Sequence, residues 1–447
     1  MKLTSLGHAS WLAEAGGMRL LFDPVLGDAH AGGVFQVFPP RSIAASALRP
    51  DFVVVSHAHF DHFDVDSLAA LAAYDPDIVL VTSDDMVAEA GSALGFHTVK
   101  LVKPGTRIEL DAGLSLSTTP SHAPDIEWGV LLTDESGAVW NMIDTAFRTA
   151  ADVEHVAKAA LRGRPLDLAL APIQPLREIA IATAGQLGFD LNDYAHLLSC
   201  GAASGARFVA PSACGEAFRE PFAVMNGWVY PVSRARAVRD LAAFAPQIRC
   251  LNPALGEALV VEGSHVTVEP GDIEITAVVQ PDPRVFRPLE PLALVDPNLD
   301  HRPLTPMRDC ITAWAHGALA QSIARELGGK PALDHVSLVL EVVFQDGCLP
   351  FSFDTRGKTR EVSDPEYDVL VMVAASMLDD VIAGRRAWVE PLLAGLLRSS
   401  TRGAHVQPGR CDWLDVTPMF VYYAIPYRAS TAAAVSGRVA AKLRARV

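Results

Sequence analysis

The chain has 447 residues, of which 50% are hydrophobic and 20% are charged. This is globular composition, and the length exceeds one ordinary core. A net charge of −15 argues against nucleic acid or an anionic membrane surface as the main partner. The N-terminus has no signal-peptide pattern and no segment is long enough for a membrane span, so we expect a cytoplasmic protein with a small-molecule substrate. The oligomeric state stays open.

The six cysteines lie far apart in the sequence and form no Cys-x-x-Cys pair. This spacing indicates neither a zinc knuckle nor a disulfide framework. We therefore expect reduced cysteines that are mostly buried.

Residues 2–23 alternate short apolar runs with glycines and predict two strands joined by a turn at Gly16-Gly17. His8 falls in the first of these strands. An ordinary hydrogen-bonded role and a place near a metal are both open for it, and we do not include it among the predicted ligands. Residues 26–50, rich in Gly, Ala and Pro, predict a loop over the pocket. Three bulky residues are interpreted as anchors of this loop rather than as substrate contacts: His30, Phe35 and Phe38.

The clearest functional signal follows an apolar run at residues 51–55 that predicts a buried strand. The next residues place four potential metal ligands in one loop: His57, His59, Asp61 and His62. Imidazoles and a carboxylate packed this closely compete for water, and repel when protonated, unless a cation collects them. His57 and His59 are two apart and point the same way in an extended segment, so they can share one ion. Asp61 and His62 can face a second ion, or Asp61 can serve as general base.

Two further candidates follow predicted strands. His122 comes after the hairpin around residues 111–113 and lies between Pro120 and Pro124, well placed to complete a three-imidazole set with His57 and His59. Asp144 follows an apolar strand at residues 139–143. An acid in that position is costly unless it is paired or ligated. Capping of the next segment through Thr145 is the alternative.

In order and spacing, the strand followed by SHAHFDH, then His122, then Asp144, resembles the metallo-β-lactamase-fold superfamily. The opening GHASWLAE with LLFDP after it is similar to the branch that includes the ascorbate-phosphate lactonase and the phospholipase D acting on N-acyl phosphatidylethanolamines. The resemblance implies an α/β fold: an αββα sandwich with two mixed sheets back to back, helices outside, and a one- or two-metal site at a sheet edge. It also implies that His57, His59 and His122 hold the first metal and that Asp61 and His62 hold the second, with Asp144 bridging.

The resemblance extends to about residue 270 and departs from the family pattern after the strand predicted at residues 205–211. In the family this strand is usually followed by a His that completes the second metal site, whereas this chain has Ser212-Ala213-Cys214. Occupancy of the second site therefore stays open. Three residues are candidate substitutes: Cys214, Glu216 and His196.

Composition predicts three segments: a catalytic domain at residues 1–275, a proline-rich connector at 276–306 and an α/β accessory domain at 307–447. In the last of these we expect helices at 312–327, 367–383 and 388–397 and strands at 336–344 and 349–353. Its pattern resembles the sterol-carrier-like segment appended to some superfamily members. Residues 385–400 resemble the C-terminal part of the sialic-acid hydroxylase family.

The predicted function is metal-dependent hydrolysis of an ester, lactone or phosphodiester through a metal-bound hydroxide. Zinc is expected, with iron or manganese as alternatives. A mono- or diiron oxygenase is the second hypothesis, although no Cys-x-His pair exists to hold a Rieske cluster. A non-catalytic binding protein with a degraded site is the third. Anion binding and internal salt bridges both explain four residues near the predicted pocket edges: Arg41, Trp128, Arg148 and Arg177.

Overall fold

A computed structural model of the chain describes residues 1–111, 113–122, 127–175, 190–230, 232–278, 280–284, 293–329, 336–360, 368–401, 404–407, 410–413 and 427–445. The chain forms two compact units, the first comprising residues 1–176, 189–287 and 441–447 and the second residues 177–188 and 288–440. The predicted catalytic, connector and accessory segments remain predictions. Among the described residues, no helix combines the length and the apolar character that crossing a bilayer requires.

The strands of the first unit are β1 (Lys2–Gly7), β2 (Ser10–Ala15), β3 (Met18–Phe22), β4 (Ala29–His30), β5 (Phe35–Val37), β6 (Arg41–Ser42), β7 (Phe52–Val55), β8 (Val79–Thr82), β9 (Thr98–Leu101), β10 (Arg107–Asp111), β11 (Leu114–Pro120), β12 (Trp128–Thr133), β13 (Ala138–Asn141), β14 (Leu168–Ala171), β15 (Phe208–Pro211), β16 (Glu216–Phe218), β17 (Arg249–Cys250), β18 (Glu257–Glu262), β19 (His265–Pro270) and β20 (Thr276–Ala277). Its α-helices are Ala45–Leu48, Val65–Tyr74, Asp85–Leu94, Ala150–Leu161, Leu191–Ala203, Asn226–Val229 and Arg234–Phe244.

Two large mixed sheets organise this unit. One has the strand order β19-β18-β1-β2-β3-β7-β8-β9 and the other β10-β11-β12-β13-β14-β15-β17. Their inner faces share one core, to which the first sheet contributes Trp11 and Phe22 and the second Leu132 and Leu170. Burying an apolar face of each sheet against the other is what stabilises such a layered arrangement. The predicted α/β sandwich with two mixed sheets back to back is confirmed.

Helices cover the outer faces of both sheets. Val153, Leu198 and Leu241, each from a different helix, pack with Trp140 of β13 in a second core. On the other side, Gly91 of the helix Asp85–Leu94 lies so close to β8 that a Cβ there would come within 2.1 Å of the Leu80 side chain. The strands therefore end at sheet edges that the helices leave exposed. Loops at these edges can carry functional residues.

The strand directions bring several loops to one edge of each sheet. β3 runs parallel to β7, and β1 runs parallel to β3 because each is antiparallel to β2. In the second sheet β13, β14 and β15 are parallel. The residues that follow β1, β3 and β7 thus meet at a common edge, as carboxyl ends of parallel strands do.

The first 23 residues differ from the prediction. The turn at Gly16-Gly17 is confirmed, but three strands are present rather than two. The chain reverses once more after β1, because Gly7 and His8 adopt φ values of 94° and 51°. His8 therefore lies in a turn, not in a strand.

In the second unit the strands are β21 (Ser337–Phe344), β22 (Gly347–Asp354), β23 (Thr359–Arg360), β24 (Val369–Ala374), β25 (Leu397–Thr401), β26 (Ala404–Gln407) and β27 (Arg410–Trp413). The helices are Leu304–Trp314, Ala320–Leu327, Ala375–Ile382 and Val389–Leu393, and Tyr427–Arg444 follows at the C-terminal end. The main sheet has the order β23-β22-β21-β24-β25.

Three predictions for this unit are corrected by the structure. The helix expected at 312–327 begins earlier, at Leu304, and contains a π-helical turn at Ala315–Leu319. The first half of the helix expected at 367–383 is strand β24. This strand pairs with β21 on one side and β25 on the other, and its alternate valines are buried. The helix expected at 388–397 ends at Leu393, and Leu397 already belongs to β25.

Candidate metal centre

Asp23, directly after β3, fixes the orientation of the loop that follows β7. Its carboxylate accepts hydrogen bonds from the Ser56 backbone N–H at 2.7 Å and from the Ser56 hydroxyl at 3.0 Å. Because that hydroxyl donates to Asp23, it accepts from Nδ1–H of His57, which lies 2.8 Å away. The Nε2 lone pair of His57 is therefore free to bind a cation.

The same carboxylate orients His62. Nδ1 of His62 lies 3.0 Å from Oδ2 of Asp23, and since a carboxylate only accepts, Nδ1 carries the proton. Nε2 of His62 then faces Oδ2 of Asp61 at 3.1 Å and Oδ2 of Asp144 at 2.8 Å. Among the residues that the structure describes, this buried nitrogen has no hydrogen-bond partner of good geometry. A nitrogen lone pair facing two carboxylates is stable only with a proton or a metal cation between them.

The first group of ligand atoms comes from two loops. It comprises His57, His59 and Asp144, whose nitrogen and oxygen atoms lie within 4.8 Å of one another. Nε2 of His57 is 2.8 Å from Nδ1 of His59 and 3.9 Å from Oδ2 of Asp144. Two imidazole nitrogens and a carboxylate are ligand types that tetrahedral metal sites use.

The second group comprises His8, Asp61 and His62, also within 4.8 Å of one another. Oδ2 of Asp61 lies 3.0 Å from Nε2 of His8. Asp144 contacts both groups, because the same Oδ2 atom approaches His57 and His62. Its side chain is 29% exposed and that of Asp61 is 23% exposed, whereas His57 and His62 are buried. Solvent therefore reaches the centre on its carboxylate side.

The electrostatic surroundings shift the pKa values of His57 and His62 in opposite directions. Burial lowers the pKa of His57 well below its ordinary value, and the neighbouring His59 and His62 lower this pKa further. Burial acts in the same direction on His62, but Asp61 and Asp144 outweigh it and hold the pKa of His62 well above its ordinary value. For Asp61, burial alone would raise the pKa, yet the neighbouring His62 and His8 hold this pKa well below the usual range. A neutral imidazole on His57 and an ionised carboxylate on Asp61 are the protonation states that metal ligands require, and a bound cation would replace the proton that the two acids favour on His62.

The residues present thus fit a divalent cation. His57 and His59 turn ring nitrogens toward each other. The buried Nε2 of His62 faces the carboxylates of Asp61 and Asp144. Imidazole with carboxylate suits zinc, iron and manganese, so the ligand types alone do not select among them.

Comparisons with known proteins agree with this geometry. Residues 2–178 match the family model described as a β-lactamase superfamily domain. A UPF0173 metal-dependent hydrolase of Opitutus terrae is 32% identical over 178 residues, which are 39% of this chain and 72% of that protein. The chain belongs to the metallo-β-lactamase-fold superfamily. It shares the UPF0173 metal-dependent hydrolase family with this relative, and the narrower branch named above remains a prediction.

Two further relatives and one solved structure are similar to this chain. A UPF0173 metal-dependent hydrolase of Salinibacter ruber is 27% identical over 175 residues, 39% of this chain and 72% of its own. A protein of Mycolicibacterium smegmatis named for a Rieske 2Fe-2S iron–sulfur centre is 31% identical over 156 residues, 32% of this chain and 30% of its own. The crystal structure of an isothiocyanate hydrolase from Delia radicum gut bacteria is 18% identical, with a TM-score of 0.43, over 59% of this chain and all 100% of that chain.

Of the six ligands predicted for this metallo-β-lactamase-fold chain, five lie in the two groups: His57, His59, Asp61, His62 and Asp144. His122 belongs to neither. Its backbone N–H donates to the Ala146 carbonyl, its Nδ1 lies 3.8 Å from Asp152, and its ring meets the edge of Phe147. The side chain is 34% exposed. The predicted ligand roles remain predictions.

The three candidate substitutes for the missing ligand are all engaged elsewhere. The Cys214 thiol donates to the Ser212 carbonyl, Glu216 pairs with His30, and Nε2 of His196 lies 2.9 Å from the Phe147 carbonyl. Burial raises the pKa of Cys214, which opposes the thiolate that metal binding needs. Within the described part of the chain, none of the three joins the two ligand groups.

Residues 26–50, predicted as a loop, contain the short strands β4, β5 and β6 and the helix Ala45–Leu48, and the segment is anchored as predicted. His30 pairs with Glu216 at 2.5 Å, and the rings of Phe35 and Phe218 lie 4.5 Å apart. Phe38 packs beneath the guanidinium of Arg284. These contacts tie the loop to β16 and to residues further along the chain.

The four residues near predicted pocket edges differ in their surroundings. Arg41 is buried and donates to the carbonyls of Leu6 and Gly27, and burial lowers its pKa to about 10. Trp128 is fully buried and Arg148 is exposed. Arg177 lies outside the described residues.

The cysteines differ in exposure. Of the five whose side chains are described, Cys200 and Cys214 are buried, Cys250 is half-buried, and Cys310 and Cys348 are exposed. Among these five, the expectation of mostly buried cysteines holds only in part.

Sequence reasoning missed Asp23 and Ser56, and it left His8 open between an ordinary hydrogen bond and a place near the metal. An acid directly after an apolar strand is the pattern that singled out Asp144, and Asp23 after LLF has the same pattern. In the sequence, Asp23 marks only the end of the second predicted strand. The role of His8 stays open there because the turn that contains it is predicted as strand.

Proposed function

We propose that the chain hydrolyses an ester, a lactone or a phosphodiester with the help of one or two divalent metal ions, zinc in the first instance. The observation that supports this most is the position of Asp144, whose Oδ2 lies 2.8 Å from Nε2 of His62 and 3.9 Å from Nε2 of His57. A carboxylate shared between two imidazole-containing groups is suited to bridge two ions.

The chain's own residues have separable roles in this proposal. Asp23 and Ser56 hold His57 and His62 in the tautomers that leave Nε2 free. His59 completes the first group, and Asp61 contributes a carboxylate to the second. Because its neighbours hold the pKa of Asp61 well below the usual range, its carboxylate is a weak proton acceptor. We therefore assign Asp61 a ligand role in preference to that of general base.

A divalent metal held there would lower the pKa of a water toward 7 and polarise the scissile carbonyl or phosphoryl group. The partly exposed carboxylates of Asp61 and Asp144 mark the side from which water and substrate approach. The buried imidazoles close the opposite side.

An iron-dependent oxygenase is the second candidate. It is supported by the Mycolicibacterium smegmatis relative that is named for a Rieske centre, of which this chain covers 30%. The ligand types also suit iron. No Cys-x-His pair occurs in this sequence, so the electrons would come from a separate reductase.

The test is a paired screen of the full chain loaded with zinc, manganese or iron. An aryl ester, a γ-lactone and an aryl phosphodiester are offered for hydrolysis, while oxygen consumption is followed with the iron form and a chemical reductant. We expect metal-dependent turnover of at least one hydrolytic substrate and its loss in the His57→Ala/His59→Ala double variant. His97→Ala, which changes an exposed histidine paired with Asp77, is the matched control. Reductant-dependent oxygen uptake without hydrolysis would favour the oxygenase instead.

A further inference from the structure

The turn between β1 and β2 holds His8 beside the metal centre in a strained backbone conformation. Its φ of 51° lies in the left-handed region, which residues other than glycine seldom adopt. Its side chain is only 4% exposed, with Nε2 at 3.0 Å from Oδ2 of Asp61. Strain of this kind persists only where the surrounding structure enforces it. The ring of His8 is therefore held in place by its neighbours.

Gly215 is the neighbour that contacts the other side of the ring. Its backbone N–H donates to Nδ1 of His8 over 3.3 Å. A Cβ at position 215 would lie 2.5 Å from the backbone nitrogen of His8 and 2.8 Å from its Cα. These are main-chain atoms that no side-chain rotation can move away. Only glycine permits this approach.

The contacts on either side of Gly215 keep its N–H aimed at His8. Its carbonyl accepts from the Phe38 backbone N–H at 2.7 Å. The next residue, Glu216, pairs with His30 at 2.5 Å and accepts from the Tyr230 hydroxyl at 2.8 Å. Glu216 also pairs with Val37 in the small sheet of β16, β5 and β4. The direction of the Gly215 N–H is thus set by a buried network outside the metal centre.

A backbone N–H can only donate, so Nδ1 of His8 must accept. In a neutral imidazole the proton then resides on Nε2, and Nε2 is the atom that faces Asp61. A histidine that binds a metal through a nitrogen needs a lone pair on that nitrogen and a proton on the other. His8 has the opposite arrangement.

We propose that His8 is a positioning residue and not a metal ligand: its Nε2–H donates to Asp61 and fixes that carboxylate within the centre. The segment from Ser212 to Gly215 then contributes a backbone N–H that sets the tautomer of His8, although it contributes no ligand of its own. The proposal rests on the proposed function only in that Asp61 is taken to bind metal.

The tautomer of His8 is measured directly by NMR on the full chain with isotopically labelled histidine ring nitrogens. The resonance of His8 is assigned by its disappearance in His8→Gln. We expect a protonated Nε2 and an unprotonated Nδ1 in the metal-free protein. After loading with an NMR-active cadmium isotope, we expect scalar coupling of cadmium to His57, His59 and His62 and none to His8. A proton on Nδ1, or a cadmium coupling to His8, would overturn the proposal.

Variants provide an independent readout. His8→Ala should keep the wild-type number of bound zinc ions while zinc affinity falls about 10- to 100-fold, the size typical for loss of a group that orients a ligand. In His8→Gln a side-chain amide N–H replaces Nε2–H, and we expect affinity to recover to within a few-fold of wild type. Loss of one bound zinc ion in both variants would identify His8 as a ligand. A wild-type zinc affinity in His8→Ala would remove its positioning role.

Failure of the inference is distinguishable from failure of the proposed function. If the protein hydrolyses none of the three substrate classes, the tautomer of His8 and its zinc affinity still give their answers. If His8 couples to cadmium, hydrolysis by the loaded protein still stands, and only the role of His8 changes.

Discussion

Oδ2 of Asp23 lies 3.0 Å from Nδ1 of His62, although 39 residues separate the two in sequence. The same oxygen accepts from the Ser56 hydroxyl, which in turn accepts from His57. One buried carboxylate therefore orients a histidine in each of the two ligand groups. Partners of this kind raise the basicity of the ligand and fix its tautomer.

Replacing Asp23 with Asn should weaken zinc binding about 10- to 100-fold. The amide has only one accepting oxygen, so its NH₂ group would face either Nδ1–H of His62 or the donors on Ser56 and could not accept a hydrogen bond there. Affinity is measured by competition with a chromophoric chelator. Asp134→Asn is the matched control, since Asp134 is also buried and accepts three hydrogen bonds, from Ser136 and Gly137, in a turn of its own. Equal zinc affinities in the two variants would contradict the role given to Asp23.

Gly357 in the second unit should resist substitution because of a close backbone approach. A Cβ there would lie 2.0 Å from the Ala320 carbonyl oxygen, whereas Gly329, at a similar φ, has open space around it. Gly329→Ala should destabilise the unit by about 1 kcal/mol through backbone strain alone. Gly357→Ala should destabilise it by roughly 2–4 kcal/mol, since the clash adds to the strain. Hydrogen exchange of the β21 amides reports both effects, and equal protection in the two variants would argue against the clash.

Asp296 should give the second unit a pH-dependent stability. Its buried carboxylate accepts from the Ser376 backbone N–H at 3.1 Å and from the Ser376 hydroxyl, at the start of the helix Ala375–Ile382. Burial raises the pKa of Asp296 in the folded chain. A carboxyl that binds its proton more tightly when folded stabilises the fold below its unfolded pKa of about 3.9, and this contribution is lost as the pH rises through the folded value.

Asp296→Asn removes the ionisation and keeps an acceptor for Ser376. We expect urea unfolding of the second unit to show a higher free energy for the variant than for wild type at pH 7, with the difference vanishing toward pH 4. Asp296→Ala, which also loses the acceptor, should be less stable than Asp296→Asn at both values by about 1 kcal/mol. If the wild type is more stable than Asp296→Asn at neutral pH, the difference in unfolding free energy has the opposite sign, which would contradict the prediction.

The sandwich and the ligand loop could be predicted from sequence because their signals are local. Residues 51–62 show an apolar strand followed by closely spaced imidazoles and an acid, and the structure forms β7 and a ligand-rich turn there. Asp144 was found by the same reasoning, as an acid after a buried strand. In such segments, hydrophobic patterning and chemical crowding lead to the same conclusion.

The parts that escaped prediction depend on contacts distant in sequence. His8 lies in a turn because it adopts a positive φ beside Gly215, more than two hundred residues away, and no local pattern specifies that. β24 was predicted as helix because its apolar residues suit either element, and pairing with β21 and β25 selects the strand. The ring of His122 faces Asp152, a contact that strand order alone does not indicate.

Elemental analysis measures whether imidazoles and acids from separate loops bind metal together. Full-length wild type, His57→Ala/His59→Ala and the exposed-site control His97→Ala are loaded with zinc, dialysed and analysed for bound metal per chain. We predict that wild type and the control retain the same one or two zinc ions per chain and that the double variant retains at least one fewer. Equal zinc content in all three proteins, with the double variant folded by circular dichroism, would contradict the assignment of the centre.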